Sequence, residues 1–255
     1  MSVALTKLCR YLDQCLRPDQ FQDYCPNGLQ VEGRPTVARL ATGVTACQRL
    51  LDEAIAWGAD ALLVHHGYFW RGEAPQVVGM KRRRLAALLA SEVSLLAYHL
   101  PLDAHPQFGN NACLGTLMGF ELNAQEPLQQ GVDRSIGNIG SLAQAIPASE
   151  LIARLERITG RRPLHVGNAD ALVRRIAWCT GAAQDYITAA VKAGADLYVT
   201  GEVSEHTVHT AREEGIHFVA AGHHATERFG VQALGEHLAA QFPLEHRFID
   251  IDNPV

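Results

Sequence analysis

Two stretches of the chain repeat each other at a fixed distance. Thr45-Ala46-Cys47-Gln48, followed by Gly58-Ala59-Asp60, answers to Gly181-Ala182-Ala183-Gln184, followed by Gly194-Ala195-Asp196. The offset is the same throughout, from Thr45 to Gly181 and from Asp60 to Asp196. Short Gly-Ala-rich strings can match by chance, but here order and spacing agree as well as residue type. In each copy an apolar run follows the Asp: Ala61-Leu62-Leu63-Val64 in the first, Leu197-Tyr198-Val199 in the second. A short apolar run after a helix-like segment and a Gly predicts a buried parallel strand. The repeat therefore predicts an α/β fold of two similar halves, with largely parallel sheets and flanking helices. We divide the chain into a first α/β half (1–121), a connecting segment (122–170) and a second α/β half (171–255).

Other local signals fill in this plan. Leu5, Leu8, Leu12 and Leu16 recur at helical spacing, and Leu40 to Val44 reads as a strand. Thr45 can cap the helix that follows, which Gly58 ends. Lys81 to Ser91 reads as a helix and Val93 to Tyr98 as a strand. Gly109-Asn110-Asn111 opens another short helix. In the second half a helix from about Val203 to Glu214 leads to the strand Phe218 to Ala221. Within the connecting segment, Asp133 to Ala145 is poor in apolar periodicity, while Ser149 to Thr159 reads as a capped helix ended by Gly160.

Composition narrows the partners. The formal net charge is -5, which leaves no electrostatic footprint for nucleic acid. The single basic run, Lys81-Arg82-Arg83-Arg84, reads as a solvated helix end. No apolar stretch approaches the roughly 20 residues that a membrane span needs, and the N-terminus does not read as a signal peptide. Six cysteines without a CxxC pair read as reduced thiols in a cytoplasm, not as a disulfide frame or a zinc-thiolate site.

The chemistry collects at the strand ends, where open α/β sheets bind their ligands. The strand ending at Val64 runs into His65-His66-Gly67. Neighbouring residues on a strand face opposite ways, so both imidazoles can converge only if the chain turns there, as Gly67 permits. The strand before Tyr98 runs into His99-Leu100-Pro101-Leu102-Asp103. The second half offers Thr200-Gly201-Glu202 with His206, and Gly222-His223-His224 with Glu227. His223 and Glu227 are four apart, which puts them on one face of a helix entry. The same spacing of His99 and Asp103 is interrupted by Pro101, which argues for a turn. Imidazole and carboxylate together are donors for Zn²⁺, Fe²⁺ or Mn²⁺. They outnumber what one four-coordinate ion can use, and two ions sharing a bridging carboxylate would use them economically. Such a centre keeps a net positive charge and draws in an anionic group. Tyr68, Phe69 and Trp70 could fill core or stack on a base, and core is the expectation.

As a set, Pro26-Asn27-Gly28-Leu29-Gln30, the His65-His66 pair, His99-x-Pro-x-Asp103, Gly109-Asn110-Asn111, Thr200-Gly201-Glu202 and Gly222-His223-x-x-x-Glu227 resemble the dinuclear-metal-centre hexameric protein family. Its members are often named GTP cyclohydrolase 1 type 2 homologues. The resemblance runs over essentially the whole chain and is to the short bacterial members. It implies metal ligands at His65, His66, Asp103, His223 and Glu227. Glu227 would bridge, His66 and Asp103 would hold one ion, and His65 and His223 the other. It also implies a toroidal homohexamer, a trimer of dimers. Gly67 and His224 depart from the residues many members carry and bear on the pocket wall more than on the ligand set.

Three functions follow as expectations. The first is a metal-dependent hydrolase of a nucleotide-like or other anionic substrate, with His99 as acid or base. The second is a ring that stores or delivers metal or acts as a scaffold. The third is a nucleic-acid-handling ring, against which the net charge weighs.

Overall fold

A computed structural model of the chain describes residues 2–129 and 135–255. Asp133, where the stretch poor in apolar periodicity begins, lies outside the described residues. In chain order the elements are β1 (Val3–Ala4), α1 (Leu5–Leu16), β2 (Gly28–Val31), β3 (Thr36–Val37), β4 (Arg39–Thr45), α2 (Gln48–Trp57), β5 (Ala61–His66), α3 (Gly79–Ser91), β6 (Ser94–Ala97), α4 (Leu100–Asp103) and α5 (Asn110–Met118). They continue with β7 (Glu121–Pro127), β8 (Asn138–Pro147), α6 (Ala148–Thr159), β9 (Leu164–Val166), β10 (Leu172–Trp178), α7 (Ile187–Lys192), β11 (Leu197–Thr200), α8 (Glu205–Glu214), β12 (His217–Ala220), α9 (His223–Gln241) and β13 (Glu245–Phe248).

The chain forms two compact units. One comprises Met1–Leu102 with Gly230–Asp252, the other Asp103–Phe229 with Asn253–Val255. The first unit holds a five-stranded sheet in the order β13-β4-β5-β6-β2, parallel except for β2. The second holds a six-stranded sheet in the order β7-β8-β10-β11-β12-β9. Its strands β10, β11 and β12 run parallel, and β8 and β9 flank them antiparallel. This is the mixed α/β architecture, with mostly parallel strands and flanking helices, that the repeat predicts.

Burial shows why these runs became strands. Ala61 to Val64 and Leu197 to Thr200 are buried at every position, as strands covered on both faces must be. In β11, Leu197 and Val199 enter one core with Leu151, Leu155 and Trp178. Tyr198 between them enters another with Phe218, Ile187 and Ile216. That is the alternation of a pleated strand. In the first unit Leu50, Leu51 and Ala54 of α2 cover Leu62, Val64 and Leu95. Gly58 ends α2 at a φ of 79°, a left-handed cap where glycine avoids the Cβ clash. Among the described residues, no helix is long and apolar enough to cross a membrane.

Three local expectations change. Thr45 does not cap α2, whose first flanking residue is Cys47 with no side-chain cap. Instead its hydroxyl meets Nδ1 of His66 at 3.0 Å. Pro101 does not exclude helix, because it lies in the first turn of the four-residue α4, where proline removes no helical bond. Strand β5 also continues through both histidines, pairing His66 with Thr45. Gly67 is needed for space: a Cβ there would collide with the Gln30 side chain and lie 2.6 Å from Ala97 Cβ.

Candidate metal centre

In the first unit, β6 stops at Ala97 while β5 runs two residues further, to His66. His65 and His66 therefore stand past the end of their neighbour. Their ring centroids are 4.5 Å apart. Adjacent positions on a strand point to opposite faces, so both imidazoles must lean along the strand axis, beyond its end. His99 joins them, its ring 5.1 Å from His65 and 5.6 Å from His66. The three offer ligand atoms within 4.8 Å of one another.

Hydrogen bonds fix which nitrogen each ring presents. Nδ1 of the fully buried His65 lies 3.0 Å from the Tyr98 carbonyl. A carbonyl only accepts, so Nδ1 carries the hydrogen and Nε2 the lone pair. Nδ1 of His99 lies 2.7 Å from Asp23 Oδ1. Asp23 also accepts from the backbone N–H groups of Tyr24 (2.6 Å) and Leu100 (2.9 Å) and from Asn27 Nδ2 (2.9 Å). Burial opposes its charge, but the bonds from His99, Asn27 and Tyr24 outweigh that and hold its carboxyl below the usual range. Asp23 is thus an anchor whose lone pairs are spent on orienting His99, a carboxylate behind an imidazole. Cys25 stands nearby, but burial, reinforced by the Asp23 charge, pushes its thiol up to about 12. With Asp23 and His99 it forms a further group that could hold an ion, but without one it is a neutral thiol at neutral pH.

The second unit builds its cluster from Asp103, Glu202, His223 and Glu227. α9 opens at His223, and the four-residue spacing brings its Nε2 within 3.0 Å of Glu227 Oε2. On the other side of the ring Nδ1 meets Glu202 Oε1 at 2.7 Å. Burial works against a charge on His223, but the hydrogen bonds and charges of Glu227 and Glu202 prevail and push it up to about 9. Gly181, at a φ of 71°, makes room for the carboxylate, because a Cβ there would collide with Glu227 Oε1. Asp103, almost buried, accepts from Asn110 Nδ2 at 2.9 Å and from the Thr180 hydroxyl at 3.4 Å. Its carbonyl accepts from Asn111 Nδ2 at 3.2 Å. Asn111 in turn accepts from the Thr180 N–H and, at its carbonyl, from Trp178 Nε1. The Gly109-Asn110-Asn111 motif is therefore the clamp on Asp103.

Imidazole and carboxylate donors, held by carboxylates and carbonyls behind them and without a thiolate, fit Zn²⁺, Fe²⁺ or Mn²⁺. Among the other sequence candidates, Glu202 serves His223, and His206 pairs instead with Asp185 in an exposed contact of 2.7 Å. His105 accepts the N–H groups of Gln107 and Phe108 and closes a turn. His217 lies 3.2 Å from His165. His224 is buried, and its backbone N–H reaches the Val255 carbonyl. The aromatic triplet divides: Tyr68 is core, its hydroxyl on the Ala46 carbonyl, while Trp70 packs against His99 and Phe69 is exposed. Sequence reasoning missed Asp23, Thr180, the role of Thr45 and the reason for Gly181. Only Gly181 left a trace, as the glycine at the repeat position where the first half has Thr45.

Comparisons with known proteins bear on the fold and the family. A Pseudomonas aeruginosa protein named GTP cyclohydrolase 1 type 2 homolog is 57% identical over 254 residues, covering 100% of each chain. A solved structure described as protein ybgI, of unknown function, superposes with a TM-score of 0.93 at 48% identity, over 99% of this chain and 100% of that one. The crystal structure of TTHA1606 from Thermus thermophilus gives 0.89 at 36% identity, over 99% and 100%. Residues 3–254 match the family described as Duf34/NIF3 (NGG1p interacting factor 3), and the chain belongs to that family.

Proposed function

We propose that the chain is a metal-dependent hydrolase with a dinuclear centre, acting on a nucleotide-like or other anionic substrate. The observation that carries this reading is the set of fixed imidazoles. The Tyr98 carbonyl, Asp23 and Glu202 engage Nδ1 of His65, His99 and His223. In His65 and His99 this leaves Nε2 as the outward donor, and His223 would offer Nε2 once an ion replaced the proton it shares with Glu227, the arrangement that supports metal ligation. In this proposal His65, His66, Asp103, His223 and Glu227 hold two divalent ions, with Glu227 as the shared carboxylate. The ions would supply a water acidic enough to be hydroxide near neutral pH. His99, backed by Asp23, holds or delivers a proton at Nε2. The relatives' name suggests GTP as one member of the substrate class. A cytoplasmic homohexamer completes the proposal.

The test is direct. Protein reconstituted with Zn²⁺, Mn²⁺ or Fe²⁺ is assayed on a panel of nucleotides and phosphoesters beside His66→Ala and Glu227→Ala, with metal content measured by elemental analysis. Metal-dependent turnover lost in both variants supports the hydrolase. Tight metal binding with fast exchange and no turnover would replace it with a protein that stores or delivers ions.

A further inference from the structure

We propose that Tyr24, Phe69 and Trp70 wall a subsite that stacks a planar heteroaromatic ring, such as a nucleobase, beside the imidazole cluster of the first unit. This names the substrate class of the hydrolase proposed above and rests on that reading. Among the described Tyr, Phe and Trp side chains, Tyr24, at 58% exposure, and Phe69, at 38%, are the most open to solvent. Both stand in the two loops that bracket His99. Tyr24 follows the Asp23 that orients His99, and Phe69-Trp70 follows the His65-His66 strand end. Exposed aromatic surface gathered at one place marks binding more often than chance.

The rings are held ready. The Arg71 N–H donates to the Tyr24 carbonyl at 2.7 Å, and its guanidinium reaches the Asp23 carbonyl at 3.1 Å, tying the two loops together. Trp70 donates its indole N–H to the Gly67 carbonyl at 3.1 Å and its backbone N–H to Glu73 at 3.1 Å. The polar end of the indole is therefore satisfied within its own loop, which leaves stacking as what its faces can offer a ligand. Trp70 stands edge-on to His99, with centroids 5.0 Å apart and planes at 78°. Tyr24 approaches the same ring at 6.4 Å and 61°. Phe69 adopts a φ of 65°, a left-handed conformation that a bulky residue rarely takes and that collects at ligand sites. The Lys81 ammonium lies 5.3 Å from its ring centroid and is itself paired with Glu73 at 3.2 Å. Loops tied together before the ligand arrives, with the indole already fixed, lose less entropy on binding. Aromatic stacking accepts any base, because every base has a π-face.

The full-length, metal-loaded protein is titrated with AMP, UMP and ribose 5-phosphate, following tryptophan fluorescence and equilibrium binding. AMP and UMP should bind about tenfold or more tighter than ribose 5-phosphate and quench the indole. Trp70→Ala should collapse that difference, Trp70→Phe should keep most of it, and metal content should stay constant. Tyr24→Ala, at an exposed site, repeats the test if Trp70→Ala fails to fold. Equal binding of AMP and ribose 5-phosphate by the unmodified protein overturns the proposal, as does a variant that weakens both alike. Failure of the hydrolase reading registers separately, as absent metal-dependent turnover of bis(p-nitrophenyl) phosphate, a substrate chosen for its reactivity and not its base.

Discussion

The two sheets carry one frame and two chemistries. In the first unit one Asp60 oxygen accepts the N–H groups of Ala38 and Arg39, at 2.8 and 3.0 Å. In the second, Asp196 accepts those of Arg174 and Arg175, both at 2.8 Å. Arg39 reaches the Trp57 carbonyl, and Arg175 reaches that of Ala193. Asp60 and Asp196 pass their carbonyls to Ser94 and His217, and Tyr98 and Ala221 donate to Val64 and Thr200. The aspartates, their backbone donors, the carbonyls that the arginines reach, and Val64 with Thr200 keep the offset of the repeat, while Ser94 and Tyr98 answer to His217 and Ala221 at a shorter one. At the strand ends the residues part company. His65 and His66 correspond to Gly201 and Glu202, and Thr45 to Gly181. A Cβ at Gly201 would lie 2.7 Å from the His223 Cα. The backbone at the start of α9 thus leaves no room for a side chain at Gly201, where the first unit has His65. The residues that hold the sheets are shared, and those that differ are the ones at the candidate site.

The largest expected effect breaks the second cluster. Glu227→Ala should remove at least one of the two proposed ions, because it deletes the shared carboxylate and leaves His223 without that partner. Elemental analysis after dialysis checks this. Unchanged metal content would mean that the second unit is not a metal site. Next comes the shared frame. Asp60→Ala and Asp196→Ala each remove two bonds from backbone N–H groups that water can reach, at roughly 0.5–1.5 kcal/mol per bond in urea unfolding. Near-equal losses would sharpen the comparison. A cost confined to one would show that the frame is used unequally.

Much of this was legible in the sequence. The repeat announced the α/β class because in both copies a glycine in the left-handed region, Gly58 and Gly194, follows a helix and an apolar strand comes next. The four-residue spacing of His223 and Glu227 gave their shared face directly, because a helix allows little else. The orienting partners were not legible. Asp23 reaches His99 from 76 positions away, and a lone acid in a loop carries no periodic signal. Thr45 looked like a helix cap because its neighbours permit one, and only the β4–β5 pairing shows that His66 claims its hydroxyl. Nor does the repeat show that Glu245–Phe248 pairs with β4 in the first sheet. That strand has no counterpart in the duplication.

The orienting carboxylates give a smaller effect. Glu202→Gln keeps the shape but weakens the hold on Nδ1 of His223, and Asp23→Asn does the same at His99. Losing such a partner costs about 10–100-fold in metal affinity when the ring is a ligand. The proposal assigns His223 as a ligand and His99 as an acid or base. Competition with a chelator should therefore show the loss in Glu202→Gln and little change in Asp23→Asn. A large loss in Asp23→Asn would make His99 a ligand too.

The smallest effect is a difference in how the two clusters respond to pH once metal is stripped. His223 is pushed up to about 9 by Glu227 and Glu202, against its burial. A raised imidazole stabilises the fold fully below its unfolded value, near 6.5, and that contribution is lost as the pH rises through 9. Asp23 has the opposite sign: its lowered carboxyl contributes above about 3.8 and stops contributing as the pH falls through its folded value. Hydrogen exchange, corrected for its intrinsic pH dependence, should then show residues 202–227 opening between pH 6.5 and 9.5. Residues 23–27 and 99–100 should hold across that range and loosen only in acid. His223→Gln should flatten the alkaline response and leave the acid one intact. If both segments loosen together at either end, the clusters do not respond independently, and the contrast between an imidazole set and a carboxylate-bridged set loses its physical basis.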